Sequence, residues 1–537
     1  MQDLYSIELA RRGYVVLALD LHSHGDSESL SIAELYDGAV GVDGAVQLIA
    51  SLPYVDTARI GVTGHSSGGT AANMAVEIDN SRETPLIAAV LQQAGDWQDD
   101  TGGDHSGDYG SRSVGIIAST HDDFYFGTYD DAGNMLTNPA AFMETDGAKK
   151  FLNFNEDGFA GIAEGGKYYT RDFDGKTAYR VIYRPNMIHP LVAFSTTCVG
   201  YAVDFFDTTL GAPKPLPASD QIWPIKAVFN SLGVIGLLIF MVSFTLVLLD
   251  TPVFSALRSG EIVQPAPVQD SGAKAWYWVL LIIGAVFSGA SFLFCMNTVY
   301  SKTTNFFVQT GPLTIGTWAA LCGVFAIFCS AVFYGAYGKK HGWSARRAGL
   351  YLNLEQLWKT IALAVIVIVV SFGLVFAAHY FFQVDYRMYV VAFKTFGADK
   401  VLIALRYLPF FLLFYVMNSI SANCFNYNTI GGKNGNILIF AFFNALGAIF
   451  VVASQYIYFY ATGYQLYGLT EGQRIGPIWL FPCMVLLFVT PIMSRIIYKR
   501  TRNPYIAGLI NAMFIVMISC SNTTTILGGG ELIATTF

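Results

Sequence analysis

The sequence predicts two regions of different class: an α/β domain with a doubly wound, mostly parallel sheet, then an all-α transmembrane domain of about eight helices. Three observations predict this. Only 13% of the 537 residues are charged, against about 25% in typical soluble proteins. The charge is unevenly distributed, because residues 1–224 carry 31 acidic and 13 basic residues whereas residues 225–537 carry 8 and 19. Strand and helix patterns alternate in the first region only.

The charge of the first region limits its partners. Its net charge is −18, and that of the second region is +11. An acidic exposed surface repels a phosphate backbone, so nucleic acid is excluded as a partner. Long apolar runs instead indicate membrane lipids.

The elements of the first region follow in order. A helix over 4–12 leads into an apolar run at 14–20, which has the length and β-branching of a short buried strand. A polar turn at 22–27 precedes a helix over 31–52. The later segments are strands at 59–63, 86–91, 113–119 and 177–183, with a helix over 68–79. This alternation predicts a mostly parallel sheet covered on both faces.

The clearest motif follows the strand at 59–63. Residues 64–68 read Gly-His-Ser-Ser-Gly, which is G-x-S-x-G between a strand and a helix, the context that a nucleophile elbow requires. Its two glycines leave room for a sharp turn. Ser66 is the predicted nucleophile, and the Ser67 N–H, at the start of the helix, is predicted to donate to a developing oxyanion.

A serine nucleophile needs a base and a carboxylate that orients the base. Asp122 follows the strand at 113–119 and His189 follows the strand at 177–183, which gives the chain order Ser, Asp, His. We therefore predict Asp122 as the acid and His189 as the base. Asp123 is the rival acid, because the sequence does not fix a one-residue shift in a loop.

Other histidines lie near these residues. His22, His24 and His65 are candidate pocket residues, and His65, which flanks the nucleophile, is interpreted as a packing residue of the elbow. His121 competes weakly with His189 as the base. No ligand spacing predicts a metal site, so we expect no metal ion and no cofactor.

Together these residues give residues 1–212 a resemblance to an α/β-hydrolase of the dienelactone hydrolase/esterase–lipase type. The resemblance rests on the turn at 20–27, the elbow at 64–69, Asp122 and His189. It implies a catalytic triad of Ser66 with these two residues. Such a domain normally opens with further strands and a loop that supplies a second oxyanion donor. We expect these strands, this loop and an export anchor to lie upstream of residue 1. The sheet is therefore expected to be N-terminally incomplete.

Composition predicts the domain boundaries. The α/β domain covers 1–212, and within it 124–176 is too long for an ordinary connection, which predicts an insertion or lid over the active site. A Pro-rich linker covers 213–226, the transmembrane domain 227–521 and a C-terminal tail 522–537.

Eight apolar runs of roughly 20 residues have the length of membrane-spanning helices. They cover about 227–249, 276–298, 314–337, 358–382, 401–423, 436–461, 476–496 and 504–521. Loops after odd-numbered helices collect eleven Lys and Arg residues, and the other side collects five. Because basic loops face the cytoplasm, we predict a multi-pass protein of the cell membrane with an extracytoplasmic α/β domain.

These features predict a membrane-bound serine hydrolase that cleaves a carboxylic ester through an acyl-serine intermediate. A small-molecule or lipid-like ester is the expected substrate. Two alternatives stay open: an acyltransferase that uses the same triad, and a transporter or receptor-like protein whose hydrolase-like domain is not catalytic. The sequence predicts neither the substrate's identity nor the oligomeric state.

Overall fold

The computed structural model describes residues 3–99, 103–130, 134–259, 270–426 and 430–531. The described chain is a mixed α/β structure. A five-stranded, mostly parallel sheet lies in the N-terminal region, and eight long apolar helices form the C-terminal region. The coarse division predicted from the sequence is therefore confirmed.

The helices of the N-terminal region lie on both sides of the sheet. They are α1 (Asp3–Arg11), α2 (Ile32–Leu35), α3 (Asp37–Val40), α4 (Val42–Ala50), α5 (Ser67–Asn80), α6 (Asp146–Leu152) and α7 (Thr196–Leu210). The strands up to the membrane region are β1 (Leu30–Ser31), β2 (Ile60–His65), β3 (Ile87–Gln93), β4 (Ser113–Ile117), β5 (Thr128–Tyr129), β6 (Met135–Thr137), β7 (Tyr169–Phe173) and β8 (Lys176–Tyr183).

The main sheet has the strand order β2-β3-β4-β8-β7. Its first four strands are parallel, and β7 is antiparallel to β8. One face packs against α5, where Val76 and Val90 are buried; the other packs against α1 and α7, where Leu91 and Phe205 are buried. Parallel strands end at the same edge of a sheet, so the segments after β2, β4 and β8 meet there.

Two predicted elements differ from the structure. Residues 14–20 form no strand, and Val15, Leu17 and Leu19 are 44%, 42% and 39% exposed. Of the described strands only β3 pairs with β2, and a cavity separates residues 14–20 from β2. An apolar run thus does not suffice for a strand, because pairing needs a neighbour within hydrogen-bonding distance. The helix predicted over 31–52 is broken into α2, α3 and α4 by left-handed backbone at 38–41.

In the described part of the chain, eight helices are long and apolar enough to span a bilayer, as predicted for a multi-pass membrane protein. They are α8 (Trp223–Leu249), α9 (Ser271–Thr298), α10 (Thr310–Phe333), α11 (Leu354–Phe382), α12 (Ala398–Ile420), α13 (Gly432–Thr462), α14 (Glu471–Thr501) and α15 (Pro504–Ser521). The short strands between and after them are β9 (Lys302–Thr303), β10 (Tyr386–Met388), β11 (Val391–Phe393), β12 (Ile526–Leu527) and β13 (Gly530–Glu531). In the bundle, α12 packs against α10 and α15, and α13 packs against α9 and α14.

The connection between the two regions is held in place by α1. Arg12 donates hydrogen bonds to the carbonyl oxygens of Pro217 and Asp220, at 2.6 and 3.0 Å. Glu8 pairs with Arg12 at 3.0 Å and accepts the backbone N–H of Trp223, the first residue of α8, also at 3.0 Å. The predicted linker is therefore fixed to the α/β domain. The first membrane helix, α8, begins at Trp223, within the predicted linker.

The segment after α15 also joins the two regions. Its strand β12 pairs in parallel with β1 of the α/β domain. Ile526 is fully buried in the core of that domain beside Leu35, and the Thr524 hydroxyl donates to His24 Nε2 at 2.9 Å. Within the predicted tail, residues 524–527 thus contact the α/β domain, whereas β13 at its end pairs with β9 of the membrane region. Residues 532–537 lie outside the described part of the chain.

Candidate active site

Ser66 occupies the sharp turn between β2 and α5. Its backbone has φ 57° and ψ −125°, a conformation that L-residues rarely adopt. The Ser66 N–H donates to the carbonyl of Gln93, at the end of β3, at 2.9 Å. Such backbone strain costs on the order of 1–3 kcal/mol and persists only where surrounding structure holds it. The turn therefore holds Ser66 at the carboxyl edge of the parallel strands.

Close packing explains two of the glycines around this turn. A Cβ atom on Gly64 would overlap the Gly68 carbonyl, and one on Gly69 would overlap Oε1 of Gln92. A Cβ atom on Gly68 would meet no atom within 4 Å. The turn thus needs Gly64 and Gly69 for space, which corrects the expectation that Gly64 and Gly68 make the room.

His189 and Asp122 form a buried pair at the same edge of the sheet. The His189 ring donates from Nδ1 to both carboxylate oxygens of Asp122, at 2.9 and 3.0 Å. Asp122 is fully buried and also accepts the Ser119 hydroxyl and the backbone N–H groups of Phe124 and Tyr125, each at 3.0 Å. These donors hold the Asp122 side chain in one orientation beside the His189 ring.

The geometry leaves His189 with one ring nitrogen for chemistry. Because Nδ1 carries the proton given to Asp122, Nε2 of a neutral imidazole is the proton acceptor. The ring is held on three sides: Tyr125 is stacked with it at 5.9 Å, Phe124 meets it edge-on at 5.0 Å and His65 lies 4.7 Å away, between ring centroids. Phe124 and Tyr125 are the first two residues of segment 124–176, so the start of that segment packs against the His189 ring.

The elbow is joined to the His189–Asp122 pair by His65, the residue before Ser66. His65 Nε2 donates to the His189 backbone carbonyl at 3.1 Å. Burial, and then the neighbouring His189, lower the pKa of His65 to about 3, so its ring is neutral at physiological pH. Between Ser66 Oγ and the His189 ring, both described, there is no hydrogen bond; such bonds are often long without substrate. Ser67 is the first residue of α5, where backbone N–H groups lack helical partners.

Asp123, the rival acid, points elsewhere. It is fully buried, and its Oδ2 accepts the His189 backbone N–H at 3.3 Å. Its Oδ1 has no hydrogen-bond partner in the described part of the chain. Burial and the charge of Asp122 raise the pKa of Asp123 well above its usual range. The imidazole is therefore paired with Asp122, and Asp123 is a buried acid that favours its protonated form.

The remaining histidines surround the site. His24 lines a large cavity, with its Nδ1 donating to the His22 carbonyl at 2.8 Å. His22 packs against Gly41 instead. His121 lies on the membrane side, where its ring is 4.3 Å from that of Tyr460, and burial lowers its pKa. In the described ranges, no three His, Cys, Asp or Glu side chains are grouped so as to hold a metal ion.

The membrane region supplies contacts that the sequence did not predict. Ile188, next to His189, is buried among Trp318 and Phe459 of the membrane helices. Gln465, between α13 and α14, donates from its side chain to the Asp123 carbonyl at 2.6 Å. These pairs are more than one hundred residues apart in the chain, and no pattern in the sequence links them. The loops carrying Asp122 and His189 thus face the membrane region.

One cavity of about 1290 Å³ adjoins the site and has two arms. The sheet-edge arm lies between residues 14–21 and β2. The bundle arm lies among α9, α10, α12, α13 and α14. His65 and Gly68, on either side of the Ser66–Ser67 pair, line the cavity, as do His24 and Thr524. A compound in this cavity can therefore lie beside the elbow, at His65 and Gly68, although Ser66 and His189 do not themselves line the cavity.

Comparison of the chain with protein-family models, with curated protein sequences and with solved structures finds no match. The geometry and chemistry of the site are therefore the basis for inferring its function.

Proposed function

We propose that the protein is a membrane-bound serine hydrolase of the α/β-hydrolase, esterase–lipase type, which cleaves a carboxylic ester on the extracytoplasmic side of the cell membrane. One observation carries the proposal. The His189 ring donates to the buried Asp122 carboxylate at 2.9 Å, at the sheet edge where Ser66 has a strained backbone. A serine, an oriented imidazole and a buried carboxylate are what acyl transfer through serine requires.

Each group has a defined step in this mechanism. Ser66 Oγ attacks the ester carbonyl carbon while His189 Nε2 takes the hydroxyl proton, and Asp122 stabilises the resulting imidazolium. The Ser67 N–H donates to the oxyanion. His189 then gives the proton to the leaving alkoxide, so the alcohol departs and acyl-Ser66 remains. Water, deprotonated by His189, attacks the acyl carbon. The bond from that carbon to Ser66 Oγ then breaks, His189 returns the proton to Oγ, and the acid and free Ser66 are released.

The membrane contacts support a substrate that arrives from the bilayer. Ile188 is buried against membrane helices, and the cavity beside the elbow extends into the helix bundle. A water-soluble ester needs neither feature. The basic loops after the odd-numbered helices support an extracytoplasmic site, since such loops face the cytoplasm.

Labelling with a fluorophosphonate tests the proposal, because this reagent reacts with a serine that a neighbouring base activates. The full chain in native membranes is compared with two variants, Ser66→Ala and Ser67→Ala. Ser67→Ala is the control, because it removes a neighbouring hydroxyl but keeps the backbone N–H of residue 67. We expect labelling of the wild type and of Ser67→Ala, and none of Ser66→Ala. A folded wild type that is not labelled would contradict the proposal and favour the receptor or transporter alternative.

A further inference from the structure

The bundle arm follows α10 through most of its length. The residues of α10 that line it recur every three or four positions, which places them on one face of the helix. They include Gly311, Ile315, Trp318, Cys322, Phe325 and Cys329. At a rise of about 1.5 Å per residue, the face from the first of these to the last is about 27 Å long. That length is close to the roughly 30 Å hydrocarbon thickness of a bilayer.

The wall of the bundle arm suits hydrocarbon. Phe325, Phe414 and Phe443 line it, and no Asp, Glu, Lys or Arg does so among the described residues of α9, α10, α12, α13 and α14. The amides on these five helices are engaged with protein groups, whereas Nδ2 of Asn426, which lies beyond α12 and also lines the cavity, has no hydrogen-bond partner in the described part of the chain. Asn418 donates to the Asn444 side chain at 2.6 Å, and Asn444 donates to a backbone carbonyl of α14 at 2.6 Å. A path for ions or sugars would need polar groups that remain available to the solute.

The outer end of the bundle arm continues to the elbow. Thr523 and Thr524, after α15, line the cavity between the membrane helices and His24. From there the same cavity reaches His65 and Gly68, beside Ser66. A molecule with an apolar chain and a polar head can therefore place the chain in the bundle and the head at the elbow.

We propose that the bundle arm holds the hydrocarbon chain of a long-chain acyl lipid ester while the ester carbonyl lies at Ser66. The inference rests on the proposed hydrolase function and adds the substrate class to it. The whole cavity, at about 1290 Å³, exceeds the roughly 300–1,000 Å³ typical of small-molecule pockets. Hydrolysis then gives a long-chain fatty acid and the alcohol of the lipid, with one water consumed.

Crosslinking tests the binding site without requiring turnover. The full chain in membranes is exposed to a palmitoyl ester with a diazirine on its chain, and crosslinked residues are mapped by mass spectrometry. We expect crosslinks on the α10 face that carries Cys322 and Phe325. Ala319→Phe, at a buried lining position, should remove them, and Ala331→Phe, on the exposed side of α10, should not. If Ala319→Phe does not fold, Ala326→Phe replaces it. Ala326 is a half-buried lining residue further along α10 from the elbow, and a Phe there narrows the bundle arm.

Chain-length kinetics give a second readout. We expect Ala319→Phe or Ala326→Phe to lower the ratio of palmitoyl to acetyl ester hydrolysis by at least about tenfold, the effect of losing a few apolar contacts in a pocket. Ala331→Phe should leave the ratio unchanged.

The two proposals fail in different ways. If fluorophosphonate labels Ser66 but crosslinks spread over the lipid-facing surface, or the ratio does not change, the lipid-chain site is wrong and the hydrolase stands. If Ser66 is not labelled, the hydrolase itself is wrong.

Discussion

Ser66 has a strained backbone conformation in the site. Its φ of 57° places the side chain where L-residues clash with their own backbone, whereas glycine has no Cβ. We expect Ser66→Gly to be more stable than Ser66→Ala by about 1 kcal/mol, although both lack the hydroxyl. Apparent melting temperatures of the two purified variants measure this. Equal melting temperatures would show that the turn is not strained.

The adjacent carboxylates give a matched pair of substitutions. Asp122 accepts the His189 ring proton and Asp123 does not. Asp122→Asn should lower kcat for ester hydrolysis by about 10⁴-fold, because an amide orients the wrong imidazole tautomer. Asp123→Asn should keep most of the activity. The reverse result would make Asp123 the triad acid.

The buried Asp123 also predicts a pH dependence of stability. Burial raises its pKa in the folded protein, whereas an unfolded aspartate ionises near pH 3.9. As pH rises above about 4 the unfolded chain loses this proton first, so the contribution to stability falls until the folded pKa is passed. Asp123→Asn should therefore raise the melting temperature more at pH 8 than at pH 5. A gain that shrinks toward pH 8 would contradict the raised pKa.

The sequence predicted where the candidate residues lie in the fold because each follows a strand of a recognisable kind. Ser66 lies in a motif, and His189 follows the last parallel strand, so topology alone brings their loops to one edge. The choice between Asp122 and Asp123 depends on side-chain direction, which loop sequence does not encode. The need for Gly69 depends on the position of Gln92 in a neighbouring strand, and no local signal reveals it.

Among the elements, β12 joins the membrane region to the α/β domain. Ile526 is fully buried, whereas Leu527, its neighbour in the same strand, is 48% exposed. We expect Ile526→Ala to destabilise the α/β domain by about 2–5 kcal/mol, through lost burial and a cavity. Leu527→Ala is the matched control and should change stability by less than about 0.5 kcal/mol. Thermal unfolding in detergent measures both, and equal effects would show that β12 is not docked.

Element prediction succeeded where the signal was local and failed where it was not. Twenty apolar residues specify a membrane helix by themselves, and all eight are present. A short apolar run such as 14–20 becomes a strand only if another strand lies beside it. The pairing of β1 with β12 joins segments almost five hundred residues apart, beyond the reach of any periodicity.

For the whole molecule, eight spans place both ends of the membrane region on one side, which agrees with the pairing of β12 with the α/β domain. The excess of basic residues in alternate loops predicts that this side is extracytoplasmic. Cysteines introduced at Ile162 and Tyr351, which are 85% and 70% exposed, test it. A membrane-impermeant maleimide on intact cells should label the first and not the second; the opposite pattern would invert the topology.

Trapping the acyl-enzyme tests most directly whether Ser66 is the nucleophile. The full chain is mixed with a palmitoyl ester, quenched in acid within the first turnover and digested for mass spectrometry. We predict a palmitoyl group on the peptide that contains Ser66, and none in Ser66→Ala. Ester hydrolysis that continues unchanged in Ser66→Ala, or an acyl group on another residue, would contradict the assignment of Ser66 as the nucleophile.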